Sequence, residues 1–404
     1  MTGDDGLKSN YLIQYCLNWE NPSDERISQL HVLMNRLFQC HSNCRSKSIS
    51  ITNSLVVPIA PRVRLMREHV QYQSFQKIYE RDCDKRNTSY MTSAIAMHNI
   101  STLEQTGPQY KKQKHKNNKD GRHHLIGMSN VEQRKIRLKE YERISNTMNN
   151  SATLTEYLIE KLPNASSLWC VRKEMTKQYA ISSILSYCFY IEQRDLNKYI
   201  MRIDTGDVMS LQWRSMYHRE TGKLISTDHV PFRLTPSLQH LMTPIGIHGM
   251  LAETMMSTAS CLHSNLSFIE DYASLFYQGD MLPWYNNKKK LKKEETFQAK
   301  NSSSSATAAS TATASASASA SAAALPVIHI AQIIDSNVDQ VLQRIREIAP
   351  LDSAPDHDRT SCMSTNVPSS NGSNCINQAI HELIQIASNP INLSKQEPLW
   401  APYF

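Results

Sequence analysis

The chain has 404 residues, 40% hydrophobic and 20% charged, an ordinary balance for a globular protein with room for a sizeable core. Only 11 glycines occur, against an average usage of ~7%, and neither GxGxxG nor a Walker loop is present, which excludes a Rossmann dinucleotide site and a P-loop. Net charge is +7, concentrated in two runs, KKQKHKNNKDGRHH at Lys111–His124 and KKKLKK at Lys288–Lys293, and the nine scattered cysteines form no CxxC pair, a usage that suits a reducing compartment.

The N-terminal MTGDDGLKSN has no secretory pattern, and the most apolar stretch, Ala180–Ile191, is far short of the ~20 residues that span a bilayer. A soluble, intracellular chain with no membrane contact is expected. Ile27, Leu30, Leu33, Met34, Leu37 and Phe38 recur at helical spacing and predict a helix over Asp24–Cys40, started by Pro22 and Ser23. LVVPIAPRVRL at Leu55–Leu65 is apolar and extended, because its two prolines forbid a central helix. Residues 87–130 read as a polar, basic loop. Helices are expected over Thr153–Leu162 and Ser166–Tyr190, the second buried in its later half.

The period then changes. Tyr199–Ile203 and Val208–Trp213 read as two strands joined at Asp204-Thr205-Gly206-Asp207, where Gly206 supplies a positive φ. Further helices are expected over Ala252–Leu262, Phe268–Tyr277, Val338–Ile348 and Cys375–Ser388, with a flexible Ser/Ala/Thr tract over 301–324. The last five residues hold Trp400, Tyr403 and Phe404, too apolar for a frayed tail and so expected to dock.

Several short patterns suggest chemistry and are outweighed by plainer readings. Asp204-Thr205-Gly206 matches one half of an aspartic protease pair, but that chemistry needs two carboxylates, and a turn explains the triplet. Cys40-His41-Ser42-Asn43-Cys44 has soft ligands close together, yet no second cluster completes a zinc site, so cysteines at a helix end are the expectation and no metal is assigned. His123-His124 has no carboxylate nearby, and no GxSxG, HExxH or EF-hand loop occurs. The basic runs offer direct nucleic-acid binding as a rival reading, although no aromatic interleaving supports it over solvated loops.

Three segments carry a family resemblance: PNASSLWCVRKEMTKQYA at Pro163–Ala180, VPFRLTPSLQHLMTPIGIHG at Val230–Gly249, and the terminal EPLWAPYF. They resemble the phosphatidylinositol 3-kinase-related kinases, as do Leu55–Leu65, Ser74–Asp84 and Tyr11–Tyr15, the last in the place of the N-lobe strand leading to the hinge. The resemblance covers Gly6–Arg86, Ser151–Tyr285 and Gly372–Phe404, and it implies an α+β fold: an incomplete two-lobed kinase-like unit with a partial N-lobe, a mainly helical C-lobe, a C-terminal helical FATC unit and disordered inserts. Its implied parts are an N-lobe and start of C-lobe (1–86), a basic polar insert (87–150), a C-lobe with degenerate loops (151–285), a basic and Ser/Ala-rich linker with a short helix (286–373) and FATC (374–404). The phosphate-binding lysine and Gly-rich loop are expected upstream of residue 6.

Active relatives write Gly-Asp-Arg-His-x-x-Asn for the catalytic loop and Asp-Phe-Gly for the metal motif. Aligned without gaps on Arg194 and the Gly206 turn, the resemblance puts Gln193 at the catalytic Asp, Asp195 at the His and Lys198 at the Asn, and Gln212-Trp213-Arg214 at Asp-Phe-Gly. Shifting the register to make Asp195 the base moves the Asn position to Ile200 and the metal Asp to Arg214, which restores nothing. The implied protein is a pseudokinase with no cofactor. Within the family the pattern is most similar to a scaffold of SAGA and MYST-type histone acetyltransferase complexes, whose implied partners are complex subunits and transcriptional activators in the nucleus. Trp400, Tyr403 and Phe404 would then anchor FATC on the C-lobe. The alternative is an active or residual ATP-binding kinase of the same family.

Overall fold

The computed structural model describes residues 10–15, 23–60, 63–68, 71–88, 95, 130–192, 195–211, 213–303, 325–348 and 371–404. The basic run at Lys111–His124, residues 304–324 of the Ser/Ala/Thr tract, and Gln193, Arg194 and Gln212 lie outside them. No helix among the described residues is long and apolar enough to cross a membrane.

The N-terminal part is a small antiparallel sheet over a helix. β1 (Tyr11–Tyr15), β2 (Val56–Ala60) and β3 (Val63–Arg67) order as β1-β3-β2. Pro58 sits on an edge strand, where its missing N–H is tolerated, and the register slips beside it between Pro58 and Ala60. α1 (Ser23–Cys40) carries Asp24 and Glu25 in its first turn, where the helix dipole favours anions, and buries Ile27, Leu30, Met34, Leu37 and Phe38. A short helix, α2 (Ser42–Ser46), follows at once. β1 runs into α1 and not towards the helical part, so it is not the strand that leads to the hinge. That position belongs to β3, which is followed by β4 (Tyr72–Ser74) on a second sheet.

The larger part is mainly helical. Ser74 caps α3 (Phe75–Lys85) by accepting the Lys77 N–H at 3.3 Å. Next come α4 (Asn130–Arg143) and a π-helical turn at Ile144–Met148. This stretch lies within the segment read from sequence as a basic insert, and it buries Tyr141 and Ile144. After α5 (Thr153–Lys161), the central helix α6 (Ala165–Cys188) starts at Asn164, whose side chain accepts the Ser167 N–H at 2.8 Å. From Met175 onward it is buried nearly all round, which is why no single apolar stripe marks it.

Against α6 lies the second sheet, β4-β6-β7, made with β6 (Tyr199–Arg202) and β7 (Val208–Ser210). The β6–β7 turn has Gly206 at φ +82°, and Asp204 clamps Arg202 with two hydrogen bonds of 2.7 and 2.8 Å. The second expected strand is shorter than its apolar run. Beyond Ser210 the chain changes partner, and β8 (Arg214–Ser215) pairs instead with β5 (Ile191–Glu192).

α7 (Pro236–Met242), α8 (Ala252–Ser264) and α9 (Leu266–Ser303) complete the lobe. The helix expected to stop near Tyr277 continues through Pro283 and the Lys288–Lys293 run. α10 (Leu325–Ile348) packs along it, longer than the predicted Val338–Ile348, and Asn337 on α10 holds the Gly222 carbonyl at 3.0 Å and the Leu224 N–H at 2.9 Å. α11 (Asn371–Ser388), α12 (Pro390–Leu393) and a 3-10 turn at Pro398–Trp400 form the C-terminal unit.

A Cβ at Gly206 would meet the Val171 carbonyl oxygen on α6 at 2.6 Å, and φ there is positive. Gly206→Ala is therefore expected to cost roughly 2–4 kcal/mol, from the left-handed backbone and the clash together, read as a lower urea midpoint with an unchanged m-value.

Candidate functional site

The cleft between the small sheet, α1 and the β6–β7 hairpin is a cavity of about 390 Å³. Of the positions singled out in the two loops, Trp213 lines it, whereas Asp195, Lys198 and Arg214 lie outside its lining. Asp195 is half-buried, and its carbonyl accepts the Lys198 N–H at 3.0 Å in a 3-10 turn over Leu196–Lys198. The Lys198 carbonyl in turn accepts the Leu211 N–H at 2.8 Å, which ties the first loop to the end of β7. Trp213 then turns inward and is buried, edge-on to His31 of α1 with ring centroids 5.2 Å apart. Arg214 points out to solvent beside Glu192, its partner across the two-stranded pairing.

Asp24 is the one carboxylate among the described residues lining this cavity. It is committed to Arg64, 2.9 Å away, whose Nε also donates to Gln14 at 2.9 Å. Burial raises the Asp24 pKa, and the positive charges of Arg64, Arg214 and Lys198 oppose that shift. All three cations therefore act on Asp24. Magnesium-assisted phosphoryl transfer needs the reverse, anionic and amide oxygens converging on the ion.

Two groups in this region carry weight that sequence reading did not assign. Glu192 is buried; its carboxylate accepts the Thr227 N–H at 2.7 Å and the Thr227 hydroxyl. It thereby fixes the segment after β8. His31 is fully buried, its ring nitrogens have no hydrogen-bond partner, and burial lowers its pKa to about 4. Its position on the apolar stripe of α1 hid it: the spacing reads as core whichever residue fills it.

The terminal aromatics come together at a separate place. Arg233, in the Pro-Phe-Arg-Leu-Thr segment, has no exposed surface. Its guanidinium donates to the Trp400 carbonyl and, at 2.8 Å, to the Ala401 carbonyl, and it lies 4.5 Å from the Trp400 ring centroid. Tyr179 of α6 donates to the Arg233 carbonyl. Phe404 packs on Tyr79 at 4.7 Å between centroids, Tyr403 packs on the same ring, and the Tyr141 hydroxyl donates to the Pro402 carbonyl at 3.3 Å. Arg137 holds the Ser394 and Lys395 carbonyls at 2.5 and 3.1 Å. Ala401 turns the backbone through a left-handed conformation, φ +46°, which lets successive carbonyls face one guanidinium.

A family model described as phosphatidylinositol 3- and 4-kinase matches residues 11–286. The chain is 25% identical over 288 residues to the human Transformation/transcription domain-associated protein, covering 70% of this chain and 7% of that one. It is 24% identical over 281 residues to the Schizosaccharomyces pombe protein named SAGA complex/NuA4 acetyltransferase complex subunit Tra1, covering 68% of this chain and 7% of that one. The Candida albicans serine/threonine-protein kinase MEC1 is also similar, 19% identical over 264 residues, covering 65% of this chain and 10% of that one. This chain thus spans 10% or less of the length of these relatives. Among solved structures, the FAT and kinase domain of CtTel1 superposes with a TM-score of 0.60 at 15% identity, over 100% of this chain and 22% of that one.

Removing the Arg233 cation takes the guanidinium donor from the Trp400 carbonyl and leaves the Ala401 carbonyl with the Phe404 N–H alone, so Arg233→Ala is expected to cost about 3–5 kcal/mol in urea denaturation and to expose the tail to carboxypeptidase. His31 has a lower pKa folded than unfolded, so the unfolded state binds more protons below pH 6.5. Stability is expected to fall as pH drops from 6.5 towards about 4, by up to ~3 kcal/mol, and His31→Phe should flatten that slope in urea melts at stepped pH.

Proposed function

Because the chain belongs to the phosphatidylinositol 3- and 4-kinase family, we propose that it uses a kinase-like fold without catalysis, as a scaffold region of a transcription co-activator in a histone acetyltransferase complex. The observation that carries the non-catalytic half is the charge of the cleft. Lys198 stands where the resemblance puts the metal-binding Asn, Arg214 is two residues past the metal-Asp position, and Asp24 is already paired with Arg64. Positive groups at those positions repel magnesium and supply no ligand for it. Gln193 and Gln212, at the catalytic and metal Asp positions, are amides that neither accept a proton as a base nor bring a negative charge.

The scaffold half rests on the relatives. Two of them are named for transcription or for the SAGA and NuA4 acetyltransferase complexes. In this reading the partners are subunits of such a complex of SAGA or MYST type, together with transcriptional activators, and the protein works in the nucleus. The C-terminal unit acts as FATC, with Trp400, Tyr403 and Phe404 as its anchors and Arg233 as their receptor. No cofactor is needed for this role.

Two measurements test the reading. Thermal denaturation with ATP should show no magnesium-dependent rise in Tm; ligand at ~100 times its Kd would add about 2.7 kcal/mol, a shift of several degrees, and such a shift would favour the kinase alternative. Affinity purification of the tagged chain from nuclear extract should recover acetyltransferase-complex subunits. Recovery of chaperones alone would count against the scaffold role for this chain.

A further inference from the structure

The junction of α1 and α2 meets α8 at a cluster that the sequence left incomplete. Cys40 ends α1, His41 precedes α2, and Cys44 lies within it. The missing partner is Cys261, on α8 and 217 positions from Cys44. The ligand atoms of His41, Cys44 and Cys261 all lie within 4.8 Å of one another. Both sulfurs are in fully buried residues, and the Cys261 thiol is hydrogen-bonded to the Cys44 sulfur. The Nδ1 atom of His41 is buried with no hydrogen-bond partner, although the side chain as a whole is partly exposed.

We infer that His41, Cys44 and Cys261 form a zinc site that fastens the end of α1 to α8. The chemistry of the donors selects the ion: two thiolates and an imidazole suit zinc and do not suit magnesium or calcium. The geometry is close to closure. Tetrahedral zinc, with Zn–S ~2.3 Å and Zn–N ~2.0 Å, holds its ligand atoms roughly 3.5–3.8 Å apart, so the three groups need to draw together by about 1 Å. Charge balance also favours the ion. Two thiolates neutralise Zn²⁺, so a buried site carries no net charge, and the two thiol protons leave to solvent as the metal enters. The fourth position falls to water or to the exposed thiol of Cys40. His41 is half-buried and gives the site its path to solvent.

Cobalt(II) substitution tests this on the full chain, prepared with reductant and stripped with a chelator. Titration should saturate at about one cobalt per chain, with visible bands of tetrahedral intensity and a near-ultraviolet thiolate charge-transfer band, and zinc should displace both. Cys44→Ser and Cys261→Ser should each weaken cobalt binding by at least ~10-fold, while Cys170→Ser, at an exposed thiol outside the cluster, should leave it unchanged. A pale octahedral spectrum with no charge-transfer band in the unsubstituted chain would overturn the proposal, whatever the variants do. So would undiminished binding by the folded Cys44→Ser and Cys261→Ser chains, or a Cys44–Cys261 disulfide in the reductant-treated protein.

Discussion

A guanidinium cut off from water must find oxygen acceptors inside the protein, and for Arg233 those acceptors are backbone carbonyls of the C-terminal tail. Everything around that residue is arranged for this one contact. Tyr179 fixes its backbone from α6, the Trp400 ring covers its face, and Tyr141 and Arg137 hold the tail from the opposite side. An apolar residue at position 233 would fill the volume but would take the guanidinium donor from the Trp400 carbonyl and leave the Ala401 carbonyl with the Phe404 N–H alone. The cation thus selects one docked arrangement of the tail, and four separate stretches of chain depend on it: α3, α4, α6 and the Pro-Phe-Arg-Leu-Thr segment.

The cleft obeys the opposite logic. In the core a buried positive charge is met by converging oxygens. In the cleft Asp24 feels three cations, Arg64, Arg214 and Lys198, and the Trp213 indole packs on His31 of α1. The kinase-like geometry persists because its support is independent of phosphate chemistry. Trp213 packs on His31, Glu192 holds Thr227, and the Lys198 carbonyl holds Leu211. Each of these contacts ties the loops to the core through this chain's own side chains and backbone.

Local rules made much of the fold legible in advance. The α1 stripe, the capped start of α6 and the Gly206 hairpin each express a short-range constraint, and each stands within a few residues of its expected place. The second sheet was less legible, because β4 has only three residues and gains its identity from β6, more than a hundred positions on. β1 was given the hinge role that belongs to β3, since a five-residue apolar run does not announce its neighbour. For the candidate site, the loop positions rest on resemblance alone, and His31 and Glu192 act through burial, which spacing does not report. Cys261 shows the limit most clearly: ligand spacing is a sequence signal when the ligands lie close along the chain, and here a helix crossing brings in the third donor from 217 positions away.

The separation of Arg233 from its acceptors also sets an order of events. The Trp400 and Ala401 carbonyls lie 167 and 168 residues further along the chain. At ~5–20 residues per second, a ribosome needs roughly ten to thirty seconds to travel that distance. Throughout that interval the Arg233 guanidinium lacks its tail acceptors and the Tyr79 ring lacks Tyr403 and Phe404. Completion of the core around Arg233 therefore waits until residues 400 and 401 have been made.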